Sequence, residues 1–147
     1  MINPEIWCAL HALNADYWRR VDRLSDAVVD ELYVDSGMMH IGSLRCEGRL
    51  QIRSFFVDRN DKEQAAKRTT RHIASALAIE ELSACRFRIQ STVQVLSGNG
   101  ELPLPSLPAS TIGDFDDVVV LANGDFLFES RTARVVFVGA NAAAFAR

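Results

Sequence analysis

The sequence predicts an α+β domain in which helices come first and a curved, mainly antiparallel sheet follows and closes over them. Three observations carry this. Apolar residues recur every three or four positions through the first part of the chain, long strand-like runs separated by turn residues fill the second, and helical spacing never returns between those runs. The chain's 147 residues, 48% hydrophobic and 24% charged, suit one domain, 1–147, with a sizeable core.

The first helical stretch runs from Asn3 to about Tyr33. Ile6, Leu10, Leu13, Tyr17 and Val21 mark one face, and Leu24, Val28 and Leu32 continue the spacing after a break, so two helices are expected. Asn3-Pro4-Glu5 suits the start of the first, because Asn caps free N–H groups and Pro fits the first turn. Ser25 or Asp26 is the expected start of the second. Tyr33 to Gly37 reads as a turn, and Met38 to Ile41 with Leu44 to Glu47 reads as a hairpin turned by Gly42-Ser43. After Gly48 helical spacing returns at Leu50, Ile52, Phe55, Phe56 and Arg59, ending in the polar run Asn60 to Glu63.

Four strand-like runs follow: His72 to Leu82, Arg86 to Leu96, Phe115 to Leu121 and Asp125 to Val138. Ser97-Gly98-Asn99-Gly100 and Asn123-Gly124-Asp125 supply turn chemistry between them. In the second run Phe87, Ile89, Ser91, Val93 and Val95 alternate with Arg86, Arg88, Gln90, Thr92 and Gln94, giving one dry and one wet face. Leu102 to Pro108 carries three prolines, which remove ladder donors, so it reads as a semi-rigid apolar loop that either links two strands or covers a pocket mouth or interface.

Composition removes several function classes. A net charge of −3 gives no basic surplus for a phosphate backbone, so nucleic acid is not an expected partner. No run of about 18 apolar residues and no basic, then hydrophobic, N-terminus is present, so neither membrane span nor secretory signal is expected and the chain reads as cytoplasmic. Cys8, Cys46 and Cys85 have neither disulfide-framework nor zinc spacing. His11, His40 and His72 show no HxH or HExxH pattern, so no metal is expected. Gly98-Asn99-Gly100 lies between strands rather than before a helix, which argues against a phosphate loop, and a Gly-x-Ser-x-Gly elbow is missing.

The chemistry centres on Arg68-Thr69-Thr70-Arg71-His72, a histidine at the head of an apolar strand, and on the acidic helix end Val21-Asp22-Arg23. A histidine and a carboxylate so placed are candidates for a proton-transfer pair. His72 alternates with Ala74, Ala76 and Ala78 on one strand face. That row of small residues either leaves a cavity in front of the imidazole or packs tightly against the first helix.

The helical N-terminal third, Tyr17 with Asp22, the Arg-Thr-Thr-Arg-His opening and the ending Phe126 to Arg131 together resemble a SnoaL-like member of the nuclear transport factor two superfamily, over nearly the whole chain. The resemblance implies a cone in which a strongly bent sheet wraps helices round a deep pocket. Scytalone dehydratase and hexachlorocyclohexane dehydrochlorinase carry the most similar pocket motif, an aspartate on the first helical segment paired with a histidine at the start of the third strand. It implies that His72 is a general base and that Asp22 fixes its tautomer and stabilises the imidazolium.

Other residues follow more loosely from the same resemblance. Arg131 resembles the dehydrochlorinase's last-strand arginine, a cation that assists the departing anion, or else is a surface or interface arginine. Tyr17 falls near a helix position where that enzyme has lysine, and its hydroxyl suits donation to a substrate oxygen. Trp18, Met39, His40, Phe55, Ala74 and Ala76 complete the expected pocket. Two departures narrow the reaction: the second pocket histidine of scytalone dehydratase has no evident counterpart, and Met39 stands near a pocket tryptophan of the dehydrochlorinase. The implied function is a cofactor-independent lyase of dehydratase-like type, or an isomerase, acting on a small apolar, oxygenated or aromatic molecule. The alternatives are a non-catalytic β subunit of a ring-hydroxylating dioxygenase, or a ligand-binding or scaffold domain. A homodimer or homotrimer through the sheet, using the Gln90 to Gln94 face, is also implied.

Overall fold

The computed structural model describes residues 1–147. Helix α1, Pro4–Val21, begins where Asn3 Oδ1 accepts the Glu5 N–H at 2.7 Å, which satisfies one of the free donors of the first turn. Leu10, Leu13, Asn14, Tyr17, Trp18 and Val21 form its buried stripe, and the helix stops at Asp22 because Arg23 takes a left-handed conformation, φ 57°. The expected second helix does not form: beyond Arg23 the chain is loop, with one 3-10 turn at Asp30–Leu32. Two effects explain this. Leu24 and Val28 stay exposed, so the apparent periodicity has no face to bury, and Ser25 Oγ accepts the Ala27 N–H in a local turn that competes with helix.

Strand β1, Tyr33–Ile41, runs straight through the stretch expected as a turn. Its pairing shifts register between Tyr33 and Met38, so Gly37 serves a bulge rather than a chain reversal. β1 forms the expected hairpin with β2, Leu44–Glu47. Helix α2, Arg49–Ala65, follows Gly48 and buries only Ile52, Phe56 and Glu63.

The rest is sheet: β3 (Arg68–Ala74), β4 (Ala78–Ser83), β5 (Arg86–Asn99), β6 (Thr111–Ala122) and β7 (Asp125–Val138). The order is β2-β1-β7-β6-β5-β3, with β4 also on β5. The sheet is mixed, because β1 and β7 run parallel while the other pairs are antiparallel, and open, because β2 and β3 at its two ends do not pair. It has the helices-plus-bent-sheet arrangement of an α+β cone. Its inner face presents Phe87, Ile89, Val93, Phe115, Val119 and Phe128 to the buried stripe of α1.

The run read as one strand from His72 to Leu82 is two. Between β3 and β4, Ser75 Oγ accepts the Thr92 N–H at 2.9 Å and the Ser75 N–H reaches the Thr92 carbonyl at 2.8 Å. The phase flips across this break, burying Leu77 and leaving Ala76 and Ala78 exposed. A row of alanines in front of His72 therefore never forms. β3 also starts at Arg68, which places His72 within the strand rather than at its head.

After β7 the chain returns across the β1–β2 turn and ends in a 3-10 turn at Ala144–Ala146. Ser43 N–H donates to the Phe145 carbonyl at 2.9 Å, and Arg68 Nη2 donates to the Asn141 carbonyl at 2.8 Å. Gly42 permits this docking, since its φ is 57° and a Cβ there would collide with the Phe145 carbonyl oxygen. Gly42→Ala is thus expected to cost about 1–2 kcal/mol and to loosen the last residues, which faster trimming by a carboxypeptidase at unchanged global fold would reveal.

Candidate active site

A cavity of about 370 Å³ lies between α1, α2 and the inner sheet face, with Ala143 to Ala146 forming part of its wall. That size lies in the range of small-molecule sites. Its wall is mostly apolar, with Trp18, Val21, Met39, Phe55, Phe56 and Val93 among the contributors. The polar part gathers where the end of α1, the last turns of α2 and β3 meet: Thr70, His72, Arg59 and Glu63. Leu102 to Pro108, one expected cover for the mouth, is not part of the wall; the C-terminal segment takes that place.

His72 and Asp22 meet although 50 residues separate them. His72 Nδ1 stands 2.6 Å from Asp22 Oδ1, the His72 backbone N–H donates to Oδ2 at 2.8 Å, and Thr70 Oγ1 donates to Oδ1 at 2.8 Å. A carboxylate is an acceptor only, so Nδ1 carries a proton, and in the neutral imidazole the lone pair is then on Nε2. The imidazole lies flat on Trp18, centroids 4.6 Å apart and planes 9° from parallel, which fixes the ring's tilt as Asp22 fixes its rotation. Asp22 itself does not line the cavity but supports His72 from behind.

Burial pushes the Asp22 carboxyl up, yet the hydrogen bonds from His72 and Thr70 and the imidazole's charge outweigh it and hold the group below the usual carboxylate range. A carboxyl depressed on folding contributes stability that is fully present above its unfolded value near 3.8 and is lost as pH falls through the lower folded value. Asp22→Asn is therefore expected to unfold at lower urea than wild type at pH 6, with the gap narrowing below about pH 4. A gap of constant size between pH 6 and pH 3 would contradict this account of the carboxylate.

Tyr17 lines the cavity, but its hydroxyl already bonds the Tyr33 hydroxyl at 2.8 Å and Met39 Sδ at 3.6 Å, and burial raises its pKa. Arg131 does not reach the cavity at all. It is fully buried, paired with Asp117 Oδ2 at 2.7 Å and Asn14 Oδ1 at 3.1 Å, and its guanidinium lies 4.1 Å from the Tyr17 ring and 4.4 Å from the Phe128 ring, with Trp18 and Phe115 close by. The structure thus separates Arg131 from any departing anion.

Trp18, Met39 and Phe55 stand in the wall. His40 does not: its Nε2 bonds Glu47 Oε1 at 2.5 Å across the hairpin, on the strand face opposite Met39 and Ile41. Ala74 packs beside the core rather than on the cavity, and Ala76 is exposed. Arg59, Glu63 and Thr70 are not among the expected site residues, although Thr70 lies in the Arg68 to His72 segment and Arg59 continues the helical spacing of Phe55 and Phe56; a further signal is the Arg59–Glu63 spacing of one helical turn, in which a pair usually faces solvent. No group of three or more His, Cys, Asp or Glu side chains is gathered as for a metal ion.

No protein-family model and no curated protein matches the sequence. Solved structures do. The chain is similar to ActVI-ORFA from Streptomyces coelicolor at 18% identity, covering 94% of this chain and 100% of that one, with a TM-score of 0.79. It is similar to a scytalone dehydratase-like protein from Novosphingobium aromaticivorans at 20% identity over 88% of this chain and 83% of that one, TM-score 0.71. It is also similar to a type 2 hexachlorocyclohexane dehydrochlorinase at 14% identity over 88% and 84%, TM-score 0.70. At such identities the likeness is one of fold, and the fold of this chain is that of the SnoaL-like proteins of the nuclear transport factor two superfamily.

Proposed function

We propose that the protein is a cofactor-independent lyase or isomerase in which His72 Nε2 removes a proton from a small, apolar, oxygenated or aromatic molecule held in the cavity. The observation that carries this reading is the 2.6 Å contact between His72 Nδ1 and Asp22 Oδ1, with the imidazole in the wall of a 370 Å³ cavity. Asp22 sets the tautomer before reaction and balances the imidazolium formed in it. The electron pair that the broken bond leaves on the substrate then expels a leaving group, giving elimination, or takes the proton back at another atom, giving isomerisation.

Two of the similar structures bear the names of lyases, a scytalone dehydratase and a dehydrochlorinase, which supports the elimination branch. An open cavity with the pair in hydrogen-bond contact favours catalysis over a scaffold, whose cone would be filled or whose pair would be apart. We further propose a homodimer or homotrimer through the outer sheet face, where Ile73 and Phe137 are exposed. A cytoplasmic location belongs to the same proposal and is supported by three unpaired cysteines; no helix is long and apolar enough to cross a membrane.

The test is a screen of hydroxylated aromatic and terpenoid compounds for proton exchange into solvent or for elimination. Wild type, His72→Ala and Asp22→Asn are compared on each responsive compound. Equal turnover by all three removes the Asp22–His72 mechanism.

A further inference from the structure

Arg59 is the nearly buried cation on the cavity wall, with 14% of its side chain exposed, and nothing in the proton-abstraction scheme uses it. α2 delivers it one helical turn before Glu63. Arg59 Nη1 donates to the Val21 carbonyl at 2.8 Å, Nη2 donates to Thr70 Oγ1 at 3.3 Å, and Nη2 stands 3.1 Å from Glu63 Oε1. A guanidinium carries five N–H donors, so these three partners leave donors uncommitted. Burial pushes this guanidinium down while Glu63 and Asp22 draw it up, and an arginine stays charged at neutral pH.

The connection to His72 is short and continuous. Thr70 Oγ1, which accepts from Arg59, donates to Asp22 Oδ1, and the same oxygen holds His72 Nδ1. Arg59 from α2 and His72 from β3 therefore border one cavity and are linked through Thr70 and Asp22. The inner charges beside the imidazole are two cations, Arg59 and Arg23, and two carboxylates, Glu63 and Asp22. Asp58 and Lys62 also border the cavity but pair with each other at 2.7 Å on the exposed side of α2, and Arg68 is engaged by the Asn141 carbonyl.

We infer that Arg59 is the oxyanion-binding residue of the cavity, and hence that the substrate is an aromatic or alicyclic compound with a carbonyl, phenolic or carboxyl oxygen placed against it. The inference deepens the proposed proton abstraction by His72. When Nε2 takes a proton from carbon next to a carbonyl, the C–H bonding pair moves into the new C=C bond and the carbonyl pair moves to oxygen. The product of that step is an enolate and an imidazolium, one charge facing Arg59 and the other facing Asp22. Donors fixed before the charge develops stabilise it without reorganisation, which a water-filled cavity cannot do. Arg131, sealed in the core, has no access to that oxygen.

Binding alone tests the assignment, so its failure is distinct from failure of the acid-base scheme. The probes are 1-naphthoate and 1-naphthamide, close in shape and different in charge, titrated by calorimetry at pH 7.5 into wild type, Arg59→Gln and His72→Ala. Wild type is expected to prefer naphthoate by about ten-fold or more, Arg59→Gln to bind the two within two-fold of each other, and His72→Ala to keep the preference. No preference in wild type, a preference that survives Arg59→Gln, or one that vanishes in His72→Ala instead, overturns it. Should Arg59→Gln fail to fold, Glu63→Gln decides the matter. Freeing the guanidinium from its carboxylate is expected to tighten naphthoate several-fold and leave naphthamide unchanged, and an unchanged ratio there overturns the assignment.

Discussion

His72→Ala is expected to lower kcat/KM for a responsive compound by about 10²- to 10⁴-fold, the range a positioned general base supplies, while its urea midpoint falls less than that of Asp22→Asn. The imidazole's side chain is on a cavity wall and its loss leaves the backbone N–H of residue 72 still bonded to Asp22 Oδ2. Asp22→Asn is expected to match that loss in rate by a different route. An amide nitrogen turned towards Nδ1 donates instead of accepting, which places the proton on Nε2 and removes the lone pair from the cavity. Because Asp22 also accepts from the β3 backbone and from Thr70, its replacement should reduce stability as well. The pattern to look for is two variants equal in kcat/KM and unequal in unfolding midpoint. A His72→Ala enzyme within about three-fold of wild type would leave the base unassigned to this residue.

The pairing of Asp22 with His72 joins two elements that are far apart in the chain. Position along the elements marks His72 and the acidic end of α1 as a candidate pair, but with 50 residues between them it is the resemblance to a known pocket motif that singles out Asp22 as the specific partner. Elements with strong local signals were legible for local reasons: α1 from its cap and stripe, and β7 from the Asn123-Gly124 turn to Val138, within the same limits that the structure gives. The misread segments are those where side chains overrule periodicity. Ser25 closes a turn in place of a helix, and Ser75 interrupts a strand so that Ala76 leaves the face of His72. Arg59 differs again: it stands in the helical spacing of Ile52, Phe55 and Phe56, yet nothing local says that it meets Val21 and Thr70 on a cavity wall, which only the tertiary fold arranges.

Arg131 illustrates the reverse case, in which the signal existed and pointed elsewhere. Along β6, Phe115, Asp117 and Val119 share one face, so a carboxylate stands in phase with core residues, and across the sheet Asp117 is the register partner of Arg131. Burial pushes the Asp117 carboxyl up and opposes the guanidinium's charge, but the pairing holds Arg131 above its ordinary value. Arg131→Met is therefore expected to cost about 3–5 kcal/mol, the penalty of a buried charge that has lost its partner. Adding Asp117→Leu to it should recover much of that loss, because an apolar pair of similar bulk leaves nothing uncompensated among Tyr17, Trp18, Phe115 and Phe128. In the single variant Asp117 is the group whose folded pKa lies above its unfolded one, so stability is lost as pH rises through that folded value, and the deficit should be smaller at pH 4.5 than at pH 7. The folded fraction should keep kcat within a few-fold of wild type, since Arg131 borders the core and not the cavity. A large drop in kcat at full occupancy of the fold, with no change in unfolding midpoint, would instead return Arg131 to the chemistry.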